Sequence, residues 1–218
     1  MALIPRKGLR VNLSNREVKE EMIPDQVVAD FIGGLRQREA TAALALEFCI
    51  LTAARSGEVL GLRWSEIDLD KALWTVPAER MKAGRVHRVP LSGRAVAILK
   101  RLAEAGVGEV VFAGQKPGKP LSNMAMDMVL RRMNVHDATV HGFRSSFRDW
   151  AGNESPFPRE VVETALAHVI GDKAEQAYRR SDALEKRRKL MEAWAGYCEP
   201  GAKGKVVQLG RQGLRDVS

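Results

Sequence analysis

The sequence predicts a mainly α domain with one small antiparallel β-sheet, an α+β arrangement. Three observations predict it. Apolar residues recur at helical spacing over most of the chain. Between Trp64 and Leu91 that period gives way to alternation. The two alternating runs are joined by a single basic turn, Met81-Lys82-Ala83-Gly84-Arg85. A chain of 218 residues suits one ordinary domain with a short appendage, and such a chain buries roughly 70% of its unfolded surface.

The elements follow in order. Residues 1–23 are polar and basic with little periodicity, and read as a loosely held leading segment. Pro24 stands where helices accept proline, ahead of Val27, Val28, Phe31 and Ile32 at helical spacing; Gly33-Gly34 is expected to stop that helix. A second helix, from about Glu39 to Ala53, is apolar nearly all round and belongs in the middle of a core. Ser56 reads as the N-cap of a short third helix. Ala72–Val76 and the run Val86, Val89, Leu91 read as a hairpin whose basic turn carries Lys82. A helix capped by Ser92 is expected to reach Ala105, a short strand to span Glu109–Phe112, and Gly114–Pro120 to be loop. Helices then fill about 122–133, 142–152, 158–167, 173–178 and 182–197. Beyond Pro200 the chain turns Gly- and Lys-rich around one apolar patch, Val206–Leu209, read as a short docking strand in a flexible tail. The expected organisation is a leading segment 1–23, a domain 24–198 and a tail 199–218.

Composition narrows the function. Apolar residues at 45% and charged residues at 28% exclude a wholly disordered chain. The net charge of +8 and a pI near 9.8 point to a polyanionic partner, nucleic acid before an acidic membrane. A membrane-surface role would ask for a basic amphipathic helix with Trp or Phe opposite, a pattern not found here. There is neither a run of 18 apolar residues nor a secretory leader in MALIPRKGLR, so a cytoplasmic protein is expected. Cys49 and Cys198 read as reduced thiols. No phosphate-binding Gly-Lys-Ser/Thr loop, no G-x-G-x-x-G and no G-x-S-x-G elbow occurs, and the histidines lack companions at metal spacing. No metal and no cofactor are therefore expected.

A set of basic residues at helix starts and turns remains. Arg55 follows the nearly all-apolar helix and must emerge at the edge of the core. His141 and Arg144 are three apart on one helical face. His168 ends the apolar run from Val161, and Tyr178 comes ten residues later, ahead of Arg179-Arg180. Each has an ordinary structural reading alone. Arg55 can pair with Glu58 one turn on, His168 can be a satisfied core histidine, Tyr178 a tethered core tyrosine, and Lys82 and Arg85 charges that keep a hairpin soluble.

Together, and in this order, they carry a resemblance. The stretches Leu51–Leu60 (LTAARSGEVL), Met81–Gly84 (MKAG), His141–Arg144 (HGFR), Ala167-His168 and Ala177-Tyr178 closely resemble the catalytic domain of the tyrosine recombinases, the phage-integrase family, over about residues 24–197. The ten-residue interval, where the family's usual one is nine, and the segment Tyr178–Asp182 resemble the prophage and genomic-island branch. The resemblance implies that fold, and an enzyme that cleaves and rejoins DNA through a 3′-phosphotyrosine without metal or ATP. It implies Tyr178 as nucleophile, with Tyr197 the alternative by residue type. It implies Arg55, Arg144 and His168 as donors to the phosphate oxygens, and His141 as proton acceptor. It implies Lys82 as general acid, Lys71 and Lys100 staying open as alternatives. Glu58 would orient Arg55, and Arg85, Arg88, Arg179 and Arg180 would contact DNA. The partners implied are double-stranded attachment-site DNA and further copies of the chain, assembling as a tetramer on DNA and weakly or not at all off it, with the tail exchanged between copies.

Family members carry further N-terminal DNA-clamping domains, whereas about 23 residues precede the first helix here. Weak, strongly salt-dependent DNA binding with poor base specificity is the expectation. Two rival readings are a relaxing enzyme of the type IB topoisomerase kind and a non-catalytic DNA-binding remnant. The ten-residue interval and the Arg-Ser-Gly-Glu context argue against the first, and six occupied chemical positions against the second.

Overall fold

The computed structural model of the chain describes residues 9–12, 17–20, 25–106, 108–116, 118–136, 138–168 and 183–201. Two antiparallel strands, β1 (Leu9–Asn12) and β2 (Glu17–Glu20), lead the chain. Helices α1 (Asp25–Arg36), α2 (Thr41–Thr52) and α3 (Ser56–Leu60) follow. A three-stranded antiparallel sheet comes next, in the order β3 (Ile67–Asp68), β4 (Leu73–Val76), β5 (His87–Pro90). Helices α4 (Gly93–Glu104), α5 (Ala125–Arg132), α6 (Val140–Asn153), α7 (Arg159–Ala165) and α8 (Leu184–Tyr197) complete the described residues. The mainly helical fold with a small antiparallel sheet is the expected one.

The centre is α2. Every residue from Ala43 to Thr52 is buried, so neighbours must cover it on all sides. It packs against α1, α4, α5, α6 and α8. Phe48 meets Trp74 of β4 and Phe112 at ring-centroid distances of 5.8 and 5.5 Å. On the far side Trp194 of α8 is fully buried among Phe147, Trp150 and Tyr197, and its indole N–H donates to the Ile50 carbonyl at 2.8 Å. One charge survives inside this helix. Glu47, 1% exposed, accepts from Arg36 Nε (2.6 Å), Arg94 Nε (2.8 Å) and Arg94 Nη2 (2.8 Å). A buried carboxylate is tolerable only with such partners.

Several expectations are corrected. Gly33-Gly34 does not stop α1, which runs on to Arg36. Glycine costs a helix only about 1 kcal/mol, and here Leu35 is buried one position further on, while Pro200 and Met133 lie close against the two glycines. The cap of α3 is Arg55 rather than Ser56. Glu109–Phe112 forms no strand; its pairing is the single bridge Arg63↔Val110 with a second, Ala113↔Pro120, beyond it. The segment 1–23 holds the β1–β2 pair that its weak periodicity did not indicate. The helix expected over 173–178 and the patch at Val206–Leu209 lie outside the described residues.

Trp194→Ala removes the ring that joins α8 to α2 and opens a cavity in the aromatic cluster. We expect a loss of about 3–5 kcal/mol, read as a lower urea midpoint with unchanged slope.

Candidate active site

The site begins where α2 ends. Ala53 caps α2 in the left-handed region (φ 48°), which turns Ala54 and Arg55 out of the helix path. Glu58, one turn into α3, then grips Arg55 twice. Its Oε2 accepts the Arg55 backbone N–H at 3.0 Å and its Oε1 accepts Nη1 at 2.7 Å. The carboxylate is 7% exposed and the guanidinium side chain 29%. A nearly buried anion therefore holds a cation that still reaches solvent.

Arg144 arrives from α6, whose cap Thr139 accepts the Gly142 N–H at 3.0 Å. It is buried, yet charged. Its Nη1 donates to the Ala53 carbonyl and its Nη2 to the Leu166 carbonyl. These carbonyls cap the C-termini of α2 and α7, where helix dipoles leave partial negative charge. Burial, then the neighbouring charge of Arg55, pull the Arg144 pKa from 12.5 down to about 10, with Glu58 and Glu163 opposing. At neutral pH it remains a cation. Two guanidinium groups that feel each other across a partly dry site make a natural seat for an anion.

His168 follows α7 through a tight turn. Ala167 takes the left-handed conformation (φ 50°), its N–H donates to the Thr164 carbonyl (3.0 Å), and the His168 N–H donates to the Glu163 carbonyl (2.9 Å). This is the Schellman pattern, with alanine where glycine is usual. His168 Nε2 lies 3.4 Å from Arg144 Nη2, and its Nδ1 lies 2.6 Å from Glu163 Oε2. Burial pushes the Glu163 carboxyl up, but the bond from His168 and the charge of Arg148 outweigh it and hold the pKa below the usual range.

The remaining expected residues are placed as follows. His141 is exposed on α6, one turn before Arg144. Lys82 and Arg85 are exposed on the turn between β4 and β5, and Arg88 is exposed on β5. The base of that turn is bolted down by Arg80, which donates to the Glu58 carbonyl and to both oxygens of Glu66. Tyr178, Arg179 and Arg180 lie outside the described residues. The fold thus brings Arg55, Glu58, Arg144 and His168 together, and leaves His141 exposed one turn from Arg144 on α6. Lys71 and Lys100, the other candidate lysines, stand elsewhere: Lys71 pairs with Asp68 at 2.7 Å and Lys100 is exposed on α4. Tyr197 stacks on Trp194 in the core.

The sequence reading missed three contributors. Arg80 is one, and Glu163, an acid inside the apolar run from Val161, is another. The third is His87, which shares the inward face of β5 with Val89 and hydrogen-bonds the backbone of Ala165. Burial, then the charge of Arg187, hold His87 neutral, with its pKa down to about 4. Beneath Arg144 the Cys49 thiol is pushed up to about 12 by burial, so it is no nucleophile. Among the described residues no group of three His, Cys, Asp or Glu is placed to hold a metal ion, and no helix is long and apolar enough to cross a membrane.

Residues 21–185 match the model of the Phage integrase family. The prophage integrase IntA of Escherichia coli K12 is 40% identical over 161 residues, covering 72% of this chain and 39% of that protein. The integrase of Shigella phage Sf6 is 30% identical over 179 residues, covering 80% and 45%. The chain therefore spans less than half the length of these relatives. Among solved structures, the integrase from mycobacterium phage Brujita shares the fold with a TM-score of 0.60 at 18% identity, over 88% of this chain and 63% of that one. A lambda integrase dimer bound to a core site does so with a TM-score of 0.52 at 20% identity, over 73% and 64%.

Two outcomes are expected from the site alone. His87 is neutral in the fold and protonates more readily unfolded, so its contribution is complete above about pH 6.5 and is lost as pH falls toward about 4. Unfolding free energy should drop by about 2 kcal/mol between about pH 7 and about pH 5, and His87→Gln should flatten the profile; urea titrations at the two pH values check it. Second, sulfate should raise the thermal midpoint above its value in chloride of equal ionic strength, through an anion held by Arg55 and Arg144. Arg55→Gln should lose that increment. Equal increments in both proteins would mean that no anion binds there.

Proposed function

The chain belongs to the phage integrase family, and on that premise we propose that it is the catalytic part of a site-specific DNA recombinase acting through a 3′-phosphotyrosine at Tyr178. One observation supports this most. Arg55 and Arg144 share one electrostatic site, and Arg144 touches the His168 ring. A phosphodiester under attack gathers charge on its two non-bridging oxygens, and only fixed donors already in place stabilise that charge without reorganisation.

In the proposed reaction the Tyr178 hydroxyl attacks the phosphorus in line. The new bond is tyrosine oxygen to phosphorus, and the bond that breaks joins phosphorus to the 5′ oxygen. Arg55 and Arg144 bind the non-bridging oxygens through parallel N–H donors, and His168 adds a further donor. Glu58 keeps Arg55 aimed. The phenol, with a reference pKa of about 10, gives its proton to His141. Lys82, on a turn that projects into solvent, protonates the leaving 5′ oxygen. Reversal by another 5′ hydroxyl reseals the strand, and the covalent link conserves the bond energy, so no nucleotide is consumed.

The substrate proposed is double-stranded attachment-site DNA, with Arg85, Arg88, Arg179 and Arg180 contacting its backbone, and the working assembly a tetramer on DNA. The relatives' names, integrase and prophage integrase, favour integration and excision of a mobile element.

A nicked attachment-site duplex that traps the intermediate tests the proposal. The wild-type chain should form a covalent adduct, mapped by mass spectrometry to Tyr178, and Tyr178→Phe should form none. Arg55→Ala and Arg144→Ala should each slow adduct formation by roughly 10²–10³-fold. An adduct that persists in Tyr178→Phe would overturn the assignment.

A further inference from the structure

We propose that Glu163 is a positioning residue that fixes the proton and the aim of the His168 imidazole; the inference deepens the reading of the site given above and rests on it. Glu163 is 8% exposed, and a carboxylate that far from water needs a partner at each oxygen. It has them. Oε1 accepts Arg148 Nε at 2.8 Å, and Oε2 faces His168 Nδ1 at 2.6 Å. The same residue also holds His168 by its backbone, because the Glu163 carbonyl accepts the His168 N–H at 2.9 Å. The left-handed Ala167 is what folds His168 back over α7 so that both contacts form at once.

The chemistry of the pair is one-directional. An ionised carboxylate accepts and cannot donate, so Nδ1 must carry the ring proton. In the neutral ring Nε2 is then the bare nitrogen, and it lies 3.4 Å from the Arg144 guanidinium. When the ring is protonated, Nε2–H points into the space beside Arg144, where an anion would sit. Without Glu163 either tautomer and either ring orientation is available. Arg148 completes the device. Because it occupies Oε1, a glutamine at 163 would keep its amide oxygen on Arg148 and turn its NH₂ toward Nδ1. That amide donates where the carboxylate accepted, and the ring proton moves to Nε2.

The test reads the tautomer directly. The full chain is labelled with ¹⁵N-histidine, His168 is assigned by its loss in His168→Asn, and two-bond proton–nitrogen spectra are recorded at a pH where the ring is neutral. Wild type should show the proton on Nδ1, and Glu163→Gln, nearly isosteric, should show it on Nε2. A proton on Nε2 in wild type, or the same tautomer in both proteins, would overturn the inference. A wild-type chain that forms no adduct overturns the recombinase reading instead, and the tautomer comparison still reports on Glu163.

Discussion

A buried guanidinium between two helix ends is the interaction on which this site depends. A carboxylate paired directly with Arg144 would leave it charged but make the pair neutral overall, with little to offer an anion. The fold instead surrounds it with dipoles. The last carbonyls of α2 and α7 converge on it, supplying partial negative charge without a counterion. Both helices end in left-handed alanines, Ala53 and Ala167, a conformation that costs a non-glycine residue about 1–2 kcal/mol. The chain bears that cost twice at the places that aim carbonyls at Arg144. The end of α2 is closed further by Thr52, whose hydroxyl donates to the Phe48 carbonyl at 2.7 Å, and by the Cys49 thiol on the Ala54 carbonyl at 3.4 Å.

The same turns place the neighbouring side chains. The turn at Ala53 delivers Arg55, and the turn at Ala167 delivers His168, so each helix end that solvates Arg144 also presents the next functional group. Each of these is held by an acid, Arg55 by Glu58 of the helix that follows its turn and His168 by Glu163 of the helix that precedes its turn. The repeated unit is a helix end, a buried acid within one turn of it and a cationic or imidazole side chain aimed inward. Rigid elements position such groups better than loops do.

Much of this was legible in the sequence. A nearly all-apolar run over about 39–53 reads as a central helix, and a basic residue just after it must surface at the core's edge, which located Arg55. Alternation around a basic turn located the hairpin. What failed did so for identifiable reasons. Gly33-Gly34 resembled a stop because propensity knows nothing of the burial of Leu35 just beyond, which carries the helix past two residues that each cost it only about 1 kcal/mol. Ser56 resembled a cap, but the carboxylate of Glu58 reaches back to the backbone N–H of Arg55 and moves the boundary by one residue. Glu109–Phe112 has strand composition, yet its neighbour is the loop at Arg63, between α3 and β3, so only one bridge forms. Glu163 and His87 were passed over because their roles are tertiary: each acquires meaning from a group on another element or past a turn.

The lysine hairpin shows the opposite design from the arginines, and the contrast suits the roles proposed for each. Donors to a phosphate gain from being immobile, and a proton donor to a departing oxygen must reach into the substrate. The hairpin's base is fixed on three sides. Arg80 ties its incoming end to the Glu58 carbonyl, with Gly61 leaving room: a Cβ there would stand 2.8 Å from Arg80 Nη2. Arg187 of α8, fully buried, donates to the Arg88 carbonyl on its outgoing strand, and His87 meets the backbone of Ala165. Between these anchors Lys82 to Val86 are exposed. The base is thus referenced to α3, α7 and α8, the elements that hold Glu58 and precede or follow the functional loops, while only the turn is left to follow a ligand. A side chain on that turn can change its reach without disturbing the cationic pair, because no bond that orients Arg144 runs through it.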